Sequence, residues 1–288
     1  MKTYFFLLLL FLFSSCSNIE SESIDLLTPD SSDLPDDGND EDDNNNDDNN
    51  DTNNDDGNNN TIGFTDTFEG TGSLVDYVTN NESALPAVSR ADGRYRAELT
   101  NNSSNVTLHF NQEQGRIDAK LVTFPFEFIA RNIGIGTLED SQSAPTSSNN
   151  PFSFAGIQVH VEDFNSINSS HVVVGHRGST GFTIEGKNTP NGNSAVNDIG
   201  ENMVPDGRAD IRVVGNEDRT LTVYWQLPNL NYQADADNWT LYRGAGNLPG
   251  STPDYGASVY VGLITYAYGS QGVPFVGTCD AIQINGLD

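Results

Sequence analysis

Cysteine is scarce: the 288 residues hold two, Cys16 and Cys279. Two lone cysteines show no metal-ligand spacing, and no disulfide framework is available if the first is consumed elsewhere. Cys279, in Gly277-Thr278-Cys279-Asp280, reads as a small half-buried side chain. Bases are few beside acids, 13 against 41, for a formal charge of −28. Nucleic-acid binding needs clustered cations that release counterions, so this balance excludes it. Long hydrophobic runs are absent except for Tyr4 to Phe13. Ten residues rise about 15 Å as a helix, half of a ~30 Å hydrocarbon core, so this run is too short to span a membrane. No amphipathic helix of useful length and no internal repeat can be drawn.

What is present begins with an address. Met1-Lys2-Thr3 gives a positive start, the apolar run follows, and Ser14-Ser15-Cys16 closes it. A charged start, a short apolar stretch and small residues at the cleavage point describe a secretory signal peptide over residues 1–15. Leu12-Phe13-Ser14-Ser15-Cys16 also resembles the lipobox of bacterial lipoproteins. That resemblance implies that Cys16 is acylated and anchors the chain to a membrane. Ser17, where Asp would favour inner-membrane retention, implies the outer membrane.

Residues 17–61 carry 16 of the 41 acids, no base and no aromatic, and from Asp36 to Asn60 nearly every residue is Asp or Asn. Such a segment has nothing to bury and cannot offset its ordering entropy, so residues 16–61 are expected to be a disordered tether, extended by self-repulsion. Asp36-Asp37-Gly38-Asn39-Asp40-Glu41-Asp42 does not keep the ligand spacing of a calcium loop. Acid-rich stretches just after the lipid cysteine resemble the export signals of surface lipoproteins in Bacteroidota, which implies display on the cell surface.

Residues 62–288 read differently. They hold 25 acids and 12 bases, and their text breaks into short alternating runs divided by Gly, Asn, Pro and Ser. Strands are expected at 64–68, 94–100, 106–110, 116–123, 126–133, 154–163, 171–176, 182–186, 209–214, 220–227, 239–242, 259–268 and 281–285. The fold class this predicts is all-β, a two-sheet antiparallel sandwich. Phe64-Thr65-Asp66-Thr67-Phe68-Glu69-Gly70, then Arg208-Ala209-Asp210-Ile211-Arg212-Val213-Val214, then Val259-Tyr260-Val261-Gly262-Leu263 and Asp280-Ala281-Ile282-Gln283-Ile284 follow in an order that resembles the concanavalin A-like lectin/glucanase jelly-roll superfamily. The resemblance implies a first strand beside the last and a concave face that binds or cleaves polysaccharide.

Side chains alternate across a strand, so residues two apart share a face. Arg94, Arg96 and Glu98 oppose Tyr95, Ala97 and Leu99; Gln158, His160 and Glu162 oppose Ile157, Val159 and Val161. The polar sets look into a groove or into solvent. Arg96 with Gln158-x-His160 resembles the catalytic strands of jelly-roll alginate lyases, implying that Arg96 and Gln158 hold a uronate carboxylate while His160 takes a proton. The leaving-group tyrosine would be Tyr260, although its strand lacks the lysine of the lyase motif. No Glu-x-Asp-x-x-Glu run supplies the paired carboxylates of a retaining glycosidase.

Binding rather than catalysis is the first expectation, with Tyr224, Trp239 and Tyr242 as sugar-stacking aromatics and Arg94, Glu98 and Glu162 as polar flanks. Trp225, sharing a face with Leu221 and Val223, reads as core. The partners expected are a polysaccharide or glycan, the outer membrane through the lipid, and a surface protein complex; an adhesion or matrix role is a third reading. No cofactor is required; a structural calcium on Asp66, Glu69 and Asp280 is an additional candidate.

Overall fold

Alternation of apolar and polar side chains sets almost every element of this chain. The computed structural model describes residues 62–70, 77–85, 87–99, 115–145, 151–177, 181–195, 202–230, 236–267 and 274–287. Cys16, the tether and the strand expected at 106–110 lie outside the described residues.

The strands are β1 (Ile62–Asp66), β2 (Val78–Asn80), β3 (Val88–Ala91), β4 (Arg94–Leu99) and β5 (Arg116–Thr123). They continue with β6 (Phe126–Gly136), β7 (Pro151–Val161), β8 (Ser169–Arg177), β9 (Phe182–Thr189) and β10 (Arg208–Gly215). The last are β11 (Leu221–Gln226), β12 (Thr240–Leu241), β13 (Ser258–Ala267), β14 (Phe275–Cys279) and β15 (Ala281–Leu287). Among the described residues the helical turns between them are 3-10, among them Glu82–Ala84 and Tyr242–Gly244.

Two antiparallel sheets form. The nine-stranded sheet runs β12-β11-β10-β6-β14-β4-β3, and β15 joins β6 and carries β1. The six-stranded sheet runs β2-β5-β13-β7-β8-β9. The chain changes sheet eight times, between β1 and β2, β2 and β3, β4 and β5, β5 and β6, β6 and β7, β9 and β10, β12 and β13, and β13 and β14. The first strand lies beside the last, with Phe64 opposite Ile284. This is the two-sheet antiparallel sandwich that the alternation predicted, in the jelly-roll form that the resemblance implied.

The core lies between the sheets. Tyr95, Phe128, Ile133, Ile211 and Val213 from the larger sheet meet Ile157, Val159, Val172, Val261 and Leu263 from the smaller. At Gly277 on β14 the layers come so close that a Cβ would sit 2.3 Å from Thr265 Oγ1. A bulge at Asn132, where φ is 48°, shifts β6 by one residue. Arg131 and Asn132 can then both bond to carboxylates, Asp210 and Asp280.

β9 is the edge of the smaller sheet, yet all eight of its residues are buried. Three of its outward amides are taken by two connections, the one before β10 and the one between β12 and β13: Ile184 N donates to Asn202 O (2.8 Å), Gly186 N to Tyr242 Oη (2.7 Å) and Asn188 N to Pro249 O (2.9 Å). Unpaired edge amides invite foreign strands, and here the loops occupy them.

Candidate functional site

The outer face of the smaller sheet carries a concavity of about 370 Å³. Asn80 and Asn81 at the end of β2, Gln158 and His160 on β7, and the turn through Phe164 and Asn165 line it. Strand alternation puts Gln158 and His160 on this face, because Ile157, Val159 and Val161 are committed to the core. Asp163 Oδ1 accepts from the backbone N of Asn165 (2.9 Å), a local turn that folds Phe164 back. The Phe164 ring then stacks on Tyr260 of β13, at 4.6 Å and 13°, and lies 5.0 Å from the His160 ring.

His160 Nδ1 is 2.7 Å from the carbonyl of Val161. A carbonyl can only accept, so Nδ1 carries the proton and Nε2 of the neutral ring is the acceptor. Burial lowers the pKa of His160, against smaller opposing effects of that carbonyl and Asp163. The ring is therefore neutral at pH 7. Gln158 Nε2 donates to His171 Nε2 on the adjacent strand (2.9 Å). Burial, and then the charge of Lys187, hold His171 well below the usual imidazole range.

Beneath the pocket the polar row continues. The register places Gly262, Gln158, His171 and Lys187 side by side across four strands. Lys187 Nζ donates to Tyr266 Oη (3.3 Å), and Tyr266 stacks on Phe154 at 4.8 Å. Lys187 is 1% exposed and Glu185 equally buried. This row supports the pocket floor rather than meeting solvent.

The structure brings Gln158, His160 and Tyr260 together, with His160 directly opposite Tyr260. Arg96 is not with them. It sits on β4 of the other sheet, opposite Thr278 and Ser89, so the four-residue lyase arrangement is not assembled. Alternation assigns faces within a strand but not the layer to which the strand belongs. Arg94, expected at a ligand, is buried and spent on Asp280 (Nε to Oδ1, 2.6 Å) and Ser141 (3.1 Å). Glu98 is half-buried on the same strand, and Glu162 is exposed just beyond β7.

Of the expected stacking aromatics, Tyr242 is corrected: it is 0% exposed, and its hydroxyl serves β9. Tyr224 and Trp239 are half-buried on the larger sheet, covered by the guanidinium groups of Arg212 (4.9 Å) and Arg131 (5.2 Å).

The acids offered for calcium have other partners. Asp66 accepts from Phe68 N (2.8 Å), Tyr77 Oη (2.7 Å) and Arg90. Asp280 accepts from Arg94 and Asn132, and Glu69 is exposed beside Gly93. Among the described residues no group of three His, Cys, Asp or Glu side chains is placed to hold a metal ion.

Asn80, Asn81 and Phe164 went unread in the sequence. β2 is three residues long and gives no periodic signal; the Glu-Asp-Phe-Asn-Ser turn was visible, but nothing in it says that Phe164 folds onto the sheet.

No family model matches this chain, and no curated protein does. Solved structures resemble it distantly. A xylan β-1,4-xylosidase from Bacillus halodurans is 12% identical with a TM-score of 0.49, over 77% of this chain and 38% of its own length. This chain therefore spans about two fifths of that protein. A β-1,3-1,4-glucanase (lichenase) from a mouse hindgut metagenome is 6% identical with a TM-score of 0.42, over 78% and 99%. The CBM2 module of a Lactobacillus casei phage J-1 Dit protein is 10% identical with a TM-score of 0.43, over 78% and 96%. The activities in those names belong to those proteins.

Proposed function

We propose that this chain is an outer-membrane, cell-surface lipoprotein, anchored through Cys16, whose jelly roll binds a neutral polysaccharide in the pocket formed by Asn80, Asn81, Gln158, His160 and Phe164. One observation carries the reading. The described lining combines primary amides, a neutral imidazole acceptor and an aromatic ring, and includes no carboxylate and no Lys or Arg. Amides and imidazole match sugar hydroxyls, which both donate and accept, and the ring offers an apolar face. Few placed polar groups around an aromatic wall are the common form of a small-ligand site.

The lining disfavours chemistry. Hydrolysis with retention asks for two carboxylates about 5 Å apart. A uronate lyase does draw on the Gln158, His160 and Tyr260 adjacency. It also needs a cation to neutralise the substrate carboxylate before its α-proton becomes acidic, and the described lining has none. If that second reading were right, the protein would release unsaturated uronate product from a uronate polymer, visible as rising ultraviolet absorbance.

Calorimetry of the full-length protein with xylan, β-glucan and mannan tests the first reading. Phe164→Ala should weaken binding by about tenfold or more, as loss of an aromatic anchor does, with the melting temperature nearly unchanged because Phe164 is partly exposed. Wild-type affinity in this variant would remove the pocket from consideration.

A further inference from the structure

Hydrogen bonds inside the protein decide which atoms of the smaller-sheet pocket are left for a ligand. Four polar side chains of the lining are anchored, and all four by a donor. Asn81 Nδ2 donates to the Gly115 carbonyl (3.2 Å), and Asn165 Nδ2 to Asp163 Oδ1 (2.9 Å). Gln158 Nε2 donates to His171 Nε2 (2.9 Å). The Nδ1 proton of His160 goes to the Val161 carbonyl (2.7 Å).

His160 is the strict case. An amide nitrogen has a second N–H and, with one spent, can still meet a hydroxyl as donor or as acceptor. A neutral imidazole has one proton, so Nε2 offers a lone pair and nothing else. Nε2 is not among the enclosed, unpartnered atoms of the described residues, so it keeps solvent access, although His160 as a whole is only 7% exposed. Turning the ring over would replace the Nδ1 bond by a C–H against the Val161 carbonyl. The ring is also flanked by Phe164, 5.0 Å away and itself stacked on Tyr260, and by Ser169, opposite on β8. The acceptor is therefore in place before a ligand arrives, which lowers the ordering cost of binding.

The rest of the lining sharpens the demand. Ile117 is buried beside the pocket, Phe164 adds an aromatic wall, and no Lys or Arg is among the described lining residues. A ligand oxygen without a hydrogen, set against Nε2, would bring two lone pairs together and leave both unsatisfied. A site built around a substrate O–H rejects the analogue that lacks it far more strongly than an apolar pocket rejects added bulk. A free sugar hydroxyl carries that hydrogen. An acylated or alkylated one keeps its oxygen and has lost it.

We propose, on the footing of the glycan site described above, that this pocket is specific for polysaccharide bearing free hydroxyls, one of which donates to His160 Nε2, and that it refuses a sugar esterified or etherified at that position. His160 is then the specificity-determining residue. Where a polysaccharide is acylated, ester hydrolysis has to supply the ligand: water adds at the acyl carbon, the carboxylic acid leaves, and the sugar oxygen regains its hydrogen. Carbohydrate-ester hydrolysis is thus the class of reaction that precedes capture by this protein.

Calorimetry of the full-length protein with xylohexaose and mannohexaose, and with their per-O-methyl ethers, reads the difference. The ethers keep every oxygen and lose every O–H. Wild type should bind the preferred free hexaose about tenfold or more tighter than its ether. His160→Gln, which can turn an N–H toward an ether oxygen, should narrow that ratio; crowding by the methyl groups alone would leave it unchanged. Should His160→Gln fail to fold, wild type with acetylated glucomannan and with the same sample after alkaline deacetylation decides, the deacetylated form binding more tightly. Equal affinity for free and substituted ligands, with Phe164→Ala weakening both, overturns the inference and leaves the glycan site standing. An unchanged ratio in folded His160→Gln overturns it too. If no probe binds, or if Phe164→Ala binds like wild type, the pocket itself fails and its specificity falls with it.

Discussion

His160 shows how one residue's setting decides what its pocket can do. Its Nδ1 proton is committed to the Val161 carbonyl, so a ligand hydroxyl meets Nε2 as an acceptor. Protonation converts that acceptor into a donor, and burial has moved the event to lower pH. The sign follows directly. Binding that uses the neutral ring is complete at high pH, stays level as pH falls to the ordinary imidazole value of about 6.5, and declines only below it. Calorimetry across that range checks the point; binding that strengthens as pH falls through the imidazole range would show that the imidazolium, not the imidazole, is the binding form. The same scale shows partners that the sequence does not reveal. Arg94 and Asp280 each look like ligand groups in isolation; in the structure they bond to one another.

At the scale of elements, alternation proved a sound guide to faces. Tyr95, Ala97 and Leu99 are buried as a set, as are Ile157, Val159 and Ile211, Val213 on theirs. The long strands β5, β6, β7 and β13 were legible for that reason. The short ones were not: β2 and β3 are three and four residues long, and β14 reads Phe-Val-Gly-Thr-Cys, too brief to display a period. Layer membership was illegible as well, which is why Arg96 was grouped with residues on the opposite sheet. Tyr242 failed for a third reason: closing an edge strand is a tertiary role with no local signal. It yields a clean expectation. Tyr242→Phe leaves Gly186 N without its acceptor, so denaturant unfolding should report a loss of about 1–3 kcal/mol, while glycan affinity stays at the wild-type value. A drop in affinity without a drop in stability would return Tyr242 to the binding surface.

Taken whole, the chain divides its charge unevenly. Residues 17–61 hold 16 acids and no base, while the remaining 25 acids sit with 12 bases in residues 62–288, where arginines partner many of the buried ones. The two parts were legible to different degrees. The address and the tether are expectations drawn from composition, on residues outside the described ones, whereas the pocket required knowledge of which loops return to which strand. The proposed anchor has its own test: a clickable fatty acid should label the wild-type protein in cells, and Cys16→Ala should lose that label and leave the membrane fraction. Equal labelling of both would remove the lipid and the surface placement together, without touching the pocket.

Under the proposed anchor, the loop-capped border of β9 bears on how such molecules would share one membrane. Crowding on a surface raises local concentration far above that of free solution, and an open lateral border would then act as a seed for chain-to-chain ladders. Here a foreign backbone finds Ile184, Gly186 and Asn188 already engaged. With those three amides taken, a ladder from another copy cannot begin on them.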